Sequence, residues 1–250
     1  MMTRKIVFIL SYMMLLLGCG KNEPVVNPYN GRTSAQFNSS LEYGSLIDQE
    51  GNSYKTIKIG NQVWMAENLR TTLYNDGSEI PTIADSITWY ASVDAGACCT
   101  YKNTQDIDTI STYGRLYNWA AVNSGKLAPK GWHIPTNIDW DSLTAQLSPI
   151  RDDKGIRIDG GKLKEVGTTH WLEPNLYANN RTGFTALPAG ARFAKRSFAG
   201  FGWYGGWWSS TLEWDVWVTF LVHNYGAVCD DAINLGNGVN GFSVRCVKDK

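Results

Sequence analysis

The stretch YKTIKIGNQVWM, residues 54–65, constrains the fold more than any other part of the chain. Tyr54 to Ile59 alternates, Gly60-Asn61 supplies a tight turn, and Gln62 to Met65 returns, which is the pattern of a β-hairpin. Composition argues the same way. Aromatics reach 12%, charged residues only 18%, and 25 of the 250 residues are glycine. That mixture fits a loop-rich α+β fold held by aromatic packing better than a helical bundle. The formal net charge is zero, so nothing favours a polyanion, and no nucleic-acid partner is expected.

The N-terminus reads as an export segment. Arg4 and Lys5 precede an apolar run from Ile6 to Leu17, too short to span a bilayer as a stable helix. It ends in Leu16-Leu17-Gly18-Cys19, which resembles a bacterial lipobox. Cleavage before Cys19 would leave that thiol to carry the lipid, and each buried acyl methylene contributes about 0.8 kcal/mol of anchoring. Residues 1–18 are thus expected as a signal peptide and 19–47 as a lipidated Cys19 followed by a flexible tether. The stretch from Gly20 to about Gly44 is rich in Asn, Ser, Gly and Pro without an apolar period. Lys21 and Glu23 are similar to signals that send lipoproteins outward. The expected location is the outer membrane, exposed at the cell surface, with membrane contact through the lipid alone.

Residues 48–250 are expected to form one domain. Tyr74-Asn75-Asp76-Gly77 marks a turn, and the spacing of Leu116, Trp119 and Ala120 predicts a helix over 114–122 that stops at Gly125. A second helix is predicted after Pro135. Thr136 is its N-cap, Asp139 sits three residues on, and Trp140, Leu143 and Leu147 form one buried stripe. His133 then falls in an alternating run that ends at Pro135, and reads as a packed strand residue, not a catalytic one. From Gly160 onward, strands are expected at Trp217 to Val222 and at Gly241 to Val247, the latter with Phe242, Val244 and Cys246 on one face and Ser243 and Arg245 on the other. No solenoid repeat is visible. Cys98, Cys99, Cys229 and Cys246 allow three pairings, of which at most one or two bridges are expected; adjacent Cys98 and Cys99 rarely bridge each other.

Several stretches together resemble a known family: IGNQVWMAENLRTTLYNDG (59–77), YGRLYNWAAVNSGKLAPKGWHIPTNIDW (113–140), GGKLKEVGTTHW (160–171), TGFTALPAGAR (182–192), GGWWSST (205–211) and GFSVRCVKD (241–249). They are similar, in order, to the bacterial domain family named for the major paralogues of Fibrobacter succinogenes. That family looks related to the C-type lectin-like fold through the formylglycine-generating enzyme group. The resemblance implies two helices around a small irregular antiparallel sheet, with the chain's ends close together. It departs at Ala128, where family members often carry a Cys apparently available to the C-terminal one; the partner of Cys246 therefore stays open.

Most catalytic chemistry fits poorly. Formylglycine generation needs a reactive cysteine pair, and Cys246 lies at a core-facing strand position with only Arg245 near enough to activate it. Glu173-Pro174-Asn175 reproduces a tripeptide of calcium-dependent mannose lectins, but Trp214-Asp215 is a poor substitute for its acidic companion. Ser209-Ser210 lacks a nucleophile elbow, and His170 and His223 show no orienting carboxylate at short range. No enzyme, cofactor or metal site is expected.

Residues 218–240 stand apart. They contain no Lys, Glu, Gln, Met or Trp, the types an Asn codon ending in a pyrimidine cannot become when only its two adenines change. C-type lectin-like proteins resembling this family are targets of diversity-generating retroelements, which mutate adenines in such C-terminal segments. The segment reads as a surface whose residues packing does not dictate. Phe220, His223, Asn224, Tyr225, Asp230, Asp231, Asn234 and Asn237 are the candidate contacts for a protein or glycan ligand, being of types common in recognition surfaces. The alternatives are a structural envelope protein without a diffusible ligand and a formylglycine-generating-type enzyme.

Overall fold

A computed structural model describes residues 27–155, 157–194, 198–233 and 239–250. The signal segment, Cys19, Asn234 and Asn237 lie outside the described residues. The elements run, in chain order, β1 (Gly44–Ile47), β2 (Ser53–Ile59), β3 (Gln62–Met65), α1 (Ser86–Ala91), β4 (Cys98–Cys99), α2 (Ile107–Tyr113), β5 (Leu116–Tyr117), α3 (Trp119–Val122), β6 (Trp132–His133), α4 (Asn137–Ala145), β7 (Ala189–Arg192), β8 (Phe198–Phe201), β9 (Tyr204–Leu212), β10 (Val216–Val222), β11 (Cys229–Ile233) and β12 (Val247–Lys248). One five-stranded sheet has the order β1-β2-β3-β12-β6, a second the order β11-β10-β9-β7-β8, and β4 pairs with β5. β7 and β9 run parallel through Gly190 and Gly205; the hairpin partners β2–β3, β9–β10 and β10–β11 are antiparallel.

The fold therefore mixes helix and strand and is mostly sheet. The expected pair of helices around one small sheet is corrected: among the described residues, four short α-helices border two five-stranded sheets. The predicted hairpin forms with Ile59 opposite Gln62, and Gly60 takes the positive φ, +60°, that the turn requires. The helix predicted after Pro135 is α4. The Thr136 side chain accepts from the Asp139 N–H while the Asp139 carboxylate accepts from the Thr136 N–H, a reciprocal cap. Trp140, Leu143 and Leu147 are buried as the stripe predicted.

The helix expected over 114–122 does not form as one element. α2 ends at Gly114, whose φ is +73° and whose missing Cβ leaves room for Asn68 and the Leu69 carbonyl. Leu116 and Tyr117 then pair with Cys99 and Cys98 as a strand, and only Trp119–Val122 is helical, capped by Asn118. Tertiary pairing overrode the apolar spacing. The expected strand at 241–247 shrinks likewise. Gly241, Phe242 and Ser243 make single bridges to Arg192, Tyr117 and Trp207, each on a different element, and only Val247–Lys248 continues as a strand. Ser243 and Arg245 are as buried as Phe242, Val244 and Cys246, because this segment threads the interior with both faces covered.

The tether expected over 19–47 is shorter than its composition implied. Residues 27–43 lie along the domain, and 44–47 form β1 against β2. The Asn27 amide donates to Asn52 Oδ1 at 3.0 Å, and Phe37, Leu41 and Tyr43 pack against the cluster that contains Trp64 and Phe184. Those three apolar side chains hold down a stretch that looked polar throughout.

Candidate ligand-recognition site

β10 sits second from the edge of its sheet, between β9 and the edge strand β11. Alternation sends its side chains to two faces. Val216, Val218 and Phe220 join the core around Trp208 and Phe242, while Leu221 joins the one around Trp140 and Trp207. The register places Trp217 opposite Ala232 and Thr219 opposite Asp230, so Trp217, Thr219 and Asp230 share the face toward α4.

Between that face and α4 lies a cleft of about 130 Å³, lined by Asn137, Trp140, Asp141, Trp217 and Asp230. Trp140 is 3% exposed and stacks tilted against Trp64 at 4.8 Å between ring centroids. Its indole N–H and that of Trp217 are both buried, and neither has a hydrogen-bond partner among the described residues. A buried donor left unpaired costs about 1–3 kcal/mol, so two lining one cleft is an expensive arrangement for packing alone. Two carboxyl side chains line the same cleft. Asp141 is exposed, and Asp230 keeps a solvent-facing edge while its Oδ1 accepts from Thr219 Oγ1 at 2.7 Å. Burial raises the Asp230 pKa, the Thr219 bond opposes that, and the neighbouring Asp141 charge raises it further. The cleft is thus lined by two indoles with buried, unpartnered N–H groups and by two carboxyl side chains.

The sequence-predicted contacts divide around this cleft. Asp230 lines it. Phe220 is committed to packing, edge-on to Tyr204 at 5.8 Å and Phe242 at 5.6 Å. Asp231 pairs with Val218 on the opposite face from Asp230, and both acids sit on an edge strand, where charge also blocks pairing with other chains. His223 hydrogen-bonds the Glu173 carbonyl through Nδ1 at 2.7 Å. Asn224 and Tyr225 are exposed in the turn after β10, a turn fastened from below by Lys164 Nζ, which donates to the Val222 and Tyr225 carbonyls at 3.0 and 3.2 Å. The expectation that packing does not dictate 218–240 is corrected for much of its described length: Val218, Thr219 and Leu221 are buried in a paired strand, and Gly226, Ala227, Val239 and Asn240 are buried as well. Asn137, Trp140, Asp141 and Trp217 were missed as site residues; an unpaired indole N–H has no signature in a sequence, and Asn137 and Asp141 read as part of a capped, solvated helix start.

Three sites of sequence interest read differently in three dimensions. His133 is not packed in the core; its side chain is 40% exposed and lies between Asp249, at 2.7 Å from Nδ1, and Asp139, at 3.2 Å from Nε2. The Asn175 amide nitrogen is spent on the Glu165 and Gly167 carbonyls at 2.9 and 2.6 Å. His170, expected to lack an orienting carboxylate, has one: Glu165 Oε2 lies 2.6 Å from its Nδ1. Cys98, Cys99, Cys229 and Cys246 are all unpaired. Among the described residues no group of three or more His, Cys, Asp or Glu is placed to hold a metal ion, and no helix is long and apolar enough to cross a membrane.

Compared with known proteins, residues 57–248 match the family model described as the Fibrobacter succinogenes major domain. Neither a curated protein nor a solved structure matches the chain.

Proposed function

The chain belongs to the Fibrobacter succinogenes major domain family, and from that premise we propose that it recognises a glycan non-covalently through the cleft between α4 and β10–β11. The observation that carries this reading is the pair of buried, unpartnered indole N–H groups of Trp140 and Trp217 beside Asp141 and Asp230. A sugar hydroxyl accepts from an indole N–H and donates to a carboxylate, and the C–H face of a sugar ring suits an indole surface. At about 130 Å³ the cleft is small beside the roughly 300–1,000 Å³ of pockets that engulf a whole ligand. It therefore suits one ring edge of a larger glycan, with Asn224 and Tyr225 on the turn after β10 as flanking contacts.

The same reading makes the chain a lipoprotein anchored through Cys19 and presented at the outer surface, with a C-type lectin-like fold and a C-terminal segment varied by a retroelement. One antiparallel and one mixed sheet, short helices and a C-terminal segment threaded through the interior support that fold assignment. A glycan array probed with the purified full chain tests the function. Binding of at least one glycan that falls tenfold or more in Trp217→Phe, which keeps a smaller aromatic face and removes the N–H, is expected. Equal binding by that variant would place recognition elsewhere.

A further inference from the structure

The N-terminal segment brings Ser34 against His170, 136 residues away in the chain. Ser34 Oγ lies 2.9 Å from His170 Nε2, and His170 Nδ1 lies 2.6 Å from Glu165 Oε2. The Glu165 side chain is fully buried and that of His170 is 6% exposed, whereas Ser34 is exposed. With a neutral imidazole the hydrogen bonds fit one tautomer. A carboxylate facing Nδ1 calls for the proton on that nitrogen, which leaves Nε2 as the acceptor for the Ser34 hydroxyl. Thr112 Oγ1 accepts the Ser34 N–H at 3.0 Å and lies 3.1 Å from Ser34 Oγ, so its own hydrogen can point at that oxygen. Glu165 is held in turn through Oε1 by the Gln36 N–H at 2.6 Å, and the Tyr113 ring meets the imidazole edge-on at 5.6 Å. Ser34 lies outside the stretch matched by the family model, and His170 and Glu165 lie inside it.

We propose that Ser34, His170 and Glu165 form an acyl-transfer centre that acts on activated carboxylic esters. Ser34 Oγ adds to the ester carbonyl carbon as its proton passes to His170 Nε2; the carbon–oxygen bond to the leaving alcohol then breaks, and that alcohol takes the proton from His170. Water repeats the sequence, its oxygen bonding to the acyl carbon and its proton passing through His170 back to Ser34 Oγ, so ester and water become acid and alcohol. Glu165 is a positioning residue that holds the imidazole tautomer. The substrate class follows from what the segment lacks to spare. The N–H groups of Ser34, Ala35 and Gln36 are engaged by Thr112 Oγ1, Thr33 Oγ1 and Glu165 Oε1. None of the three is left to stabilise an oxyanion, a donor worth about 10²–10³ in rate, so unactivated amides are out of reach.

The test treats the full chain with a fluorophosphonate probe and with p-nitrophenyl acetate. A covalent adduct mapped to Ser34 by mass spectrometry and an initial burst of p-nitrophenolate are expected, both lost in Ser34→Ala. His170→Gln and Glu165→Gln should slow labelling about a hundredfold or more. In Ser34→Cys, which keeps the fold if an imidazole substitution does not, alkylation should persist at pH values well below the ordinary thiol range, as for a thiolate paired with an imidazolium. Labelling of folded wild type away from Ser34, no labelling, or labelling of His170→Gln at the wild-type rate would overturn the proposal, as would a Ser34→Cys thiol that reacts only in the ordinary thiol range.

Discussion

Arg245 and Asn68 meet at the centre of the domain, where the guanidinium Nε donates to Asn68 Oδ1 at 2.8 Å. The same oxygen accepts from Trp207 Nε1 at 2.9 Å, and the guanidinium also donates to the Phe184 and Thr185 carbonyls while lying 4.3 Å from the Phe184 ring. One fully buried cation thereby ties the stretch just after the β2–β3 hairpin, the 182–192 stretch and the C-terminal segment together. Arg245→Met keeps comparable bulk and takes the guanidinium donor from the Phe184 and Thr185 carbonyls, each costing about 1–3 kcal/mol, while Asn68 Oδ1 keeps its bond from Trp207. A loss of about 3 kcal/mol or more in urea unfolding is expected.

The cap of α4 sets an acid-side prediction. Burial alone would raise the Asp139 pKa, but the bonds from the Thr136 hydroxyl and N–H, with His133 beside them, outweigh it and hold the carboxyl below its ordinary value. A carboxyl depressed in the folded state stabilises fully above its unfolded pKa, and the gain is lost as pH falls through the folded value. Asp139→Asn should cost about 1 kcal/mol at neutral pH, and its unfolding curve should converge on wild type in acid.

Asp230 should behave in the opposite sense. Its carboxyl is raised, chiefly by burial, so a penalty on the folded state grows as pH rises above the unfolded pKa and is complete above the raised folded value, while below the unfolded pKa there is no penalty. Asp230→Asn is expected to raise the melting temperature at neutral pH, to match wild type in strong acid, and to weaken glycan binding. A residue kept at a cost to stability is the pattern of a site.

Gly190 is where β7 approaches β8 most tightly. Its φ is +66°, and a Cβ there would sit 2.5 Å from the Ala199 carbonyl oxygen and 2.7 Å from the Phe201 nitrogen. Both are backbone atoms that cannot turn aside. Gly190→Ala should lower stability by about 2 kcal/mol or more in denaturant titration.

The thiols give a direct check on the formylglycine-generating alternative. Burial pushes the Cys99 thiol up to about 12 and the Cys246 thiol higher still, and raises those of Cys98 and Cys229. Of these four described thiols, only Cys229 is less than fully buried. Maleimide labelling of the folded chain at neutral pH should modify Cys229 slowly and leave Cys98, Cys99 and Cys246 untouched until denaturant is added.

What was legible in the sequence was local and periodic. The hairpin at 54–65 and the capped α4 each carry their own turn or cap, so residues within a dozen positions decide them. The short helices α1, α2 and α3 run for one or two turns, too little for an apolar period to emerge, and are begun by Asp85, Asp106 and Asn118 caps. The candidate site was half legible. Asp230 could be named from an unusual composition, but Trp140 had already been assigned to the core, correctly, and its unpaired N–H appears only when β10 and α4 are set face to face. Ser34 and His170 lie 136 residues apart, and no local pattern joins them.

The cleft itself is tested most directly by nitrogen-resolved NMR of the tryptophan indoles during titration with a bound glycan. The account predicts that the Trp140 and Trp217 Nε1–H resonances move downfield together as each gains an acceptor, while that of Trp207, already bonded to Asn68, stays in place. Saturation of binding with those two resonances unmoved would contradict it.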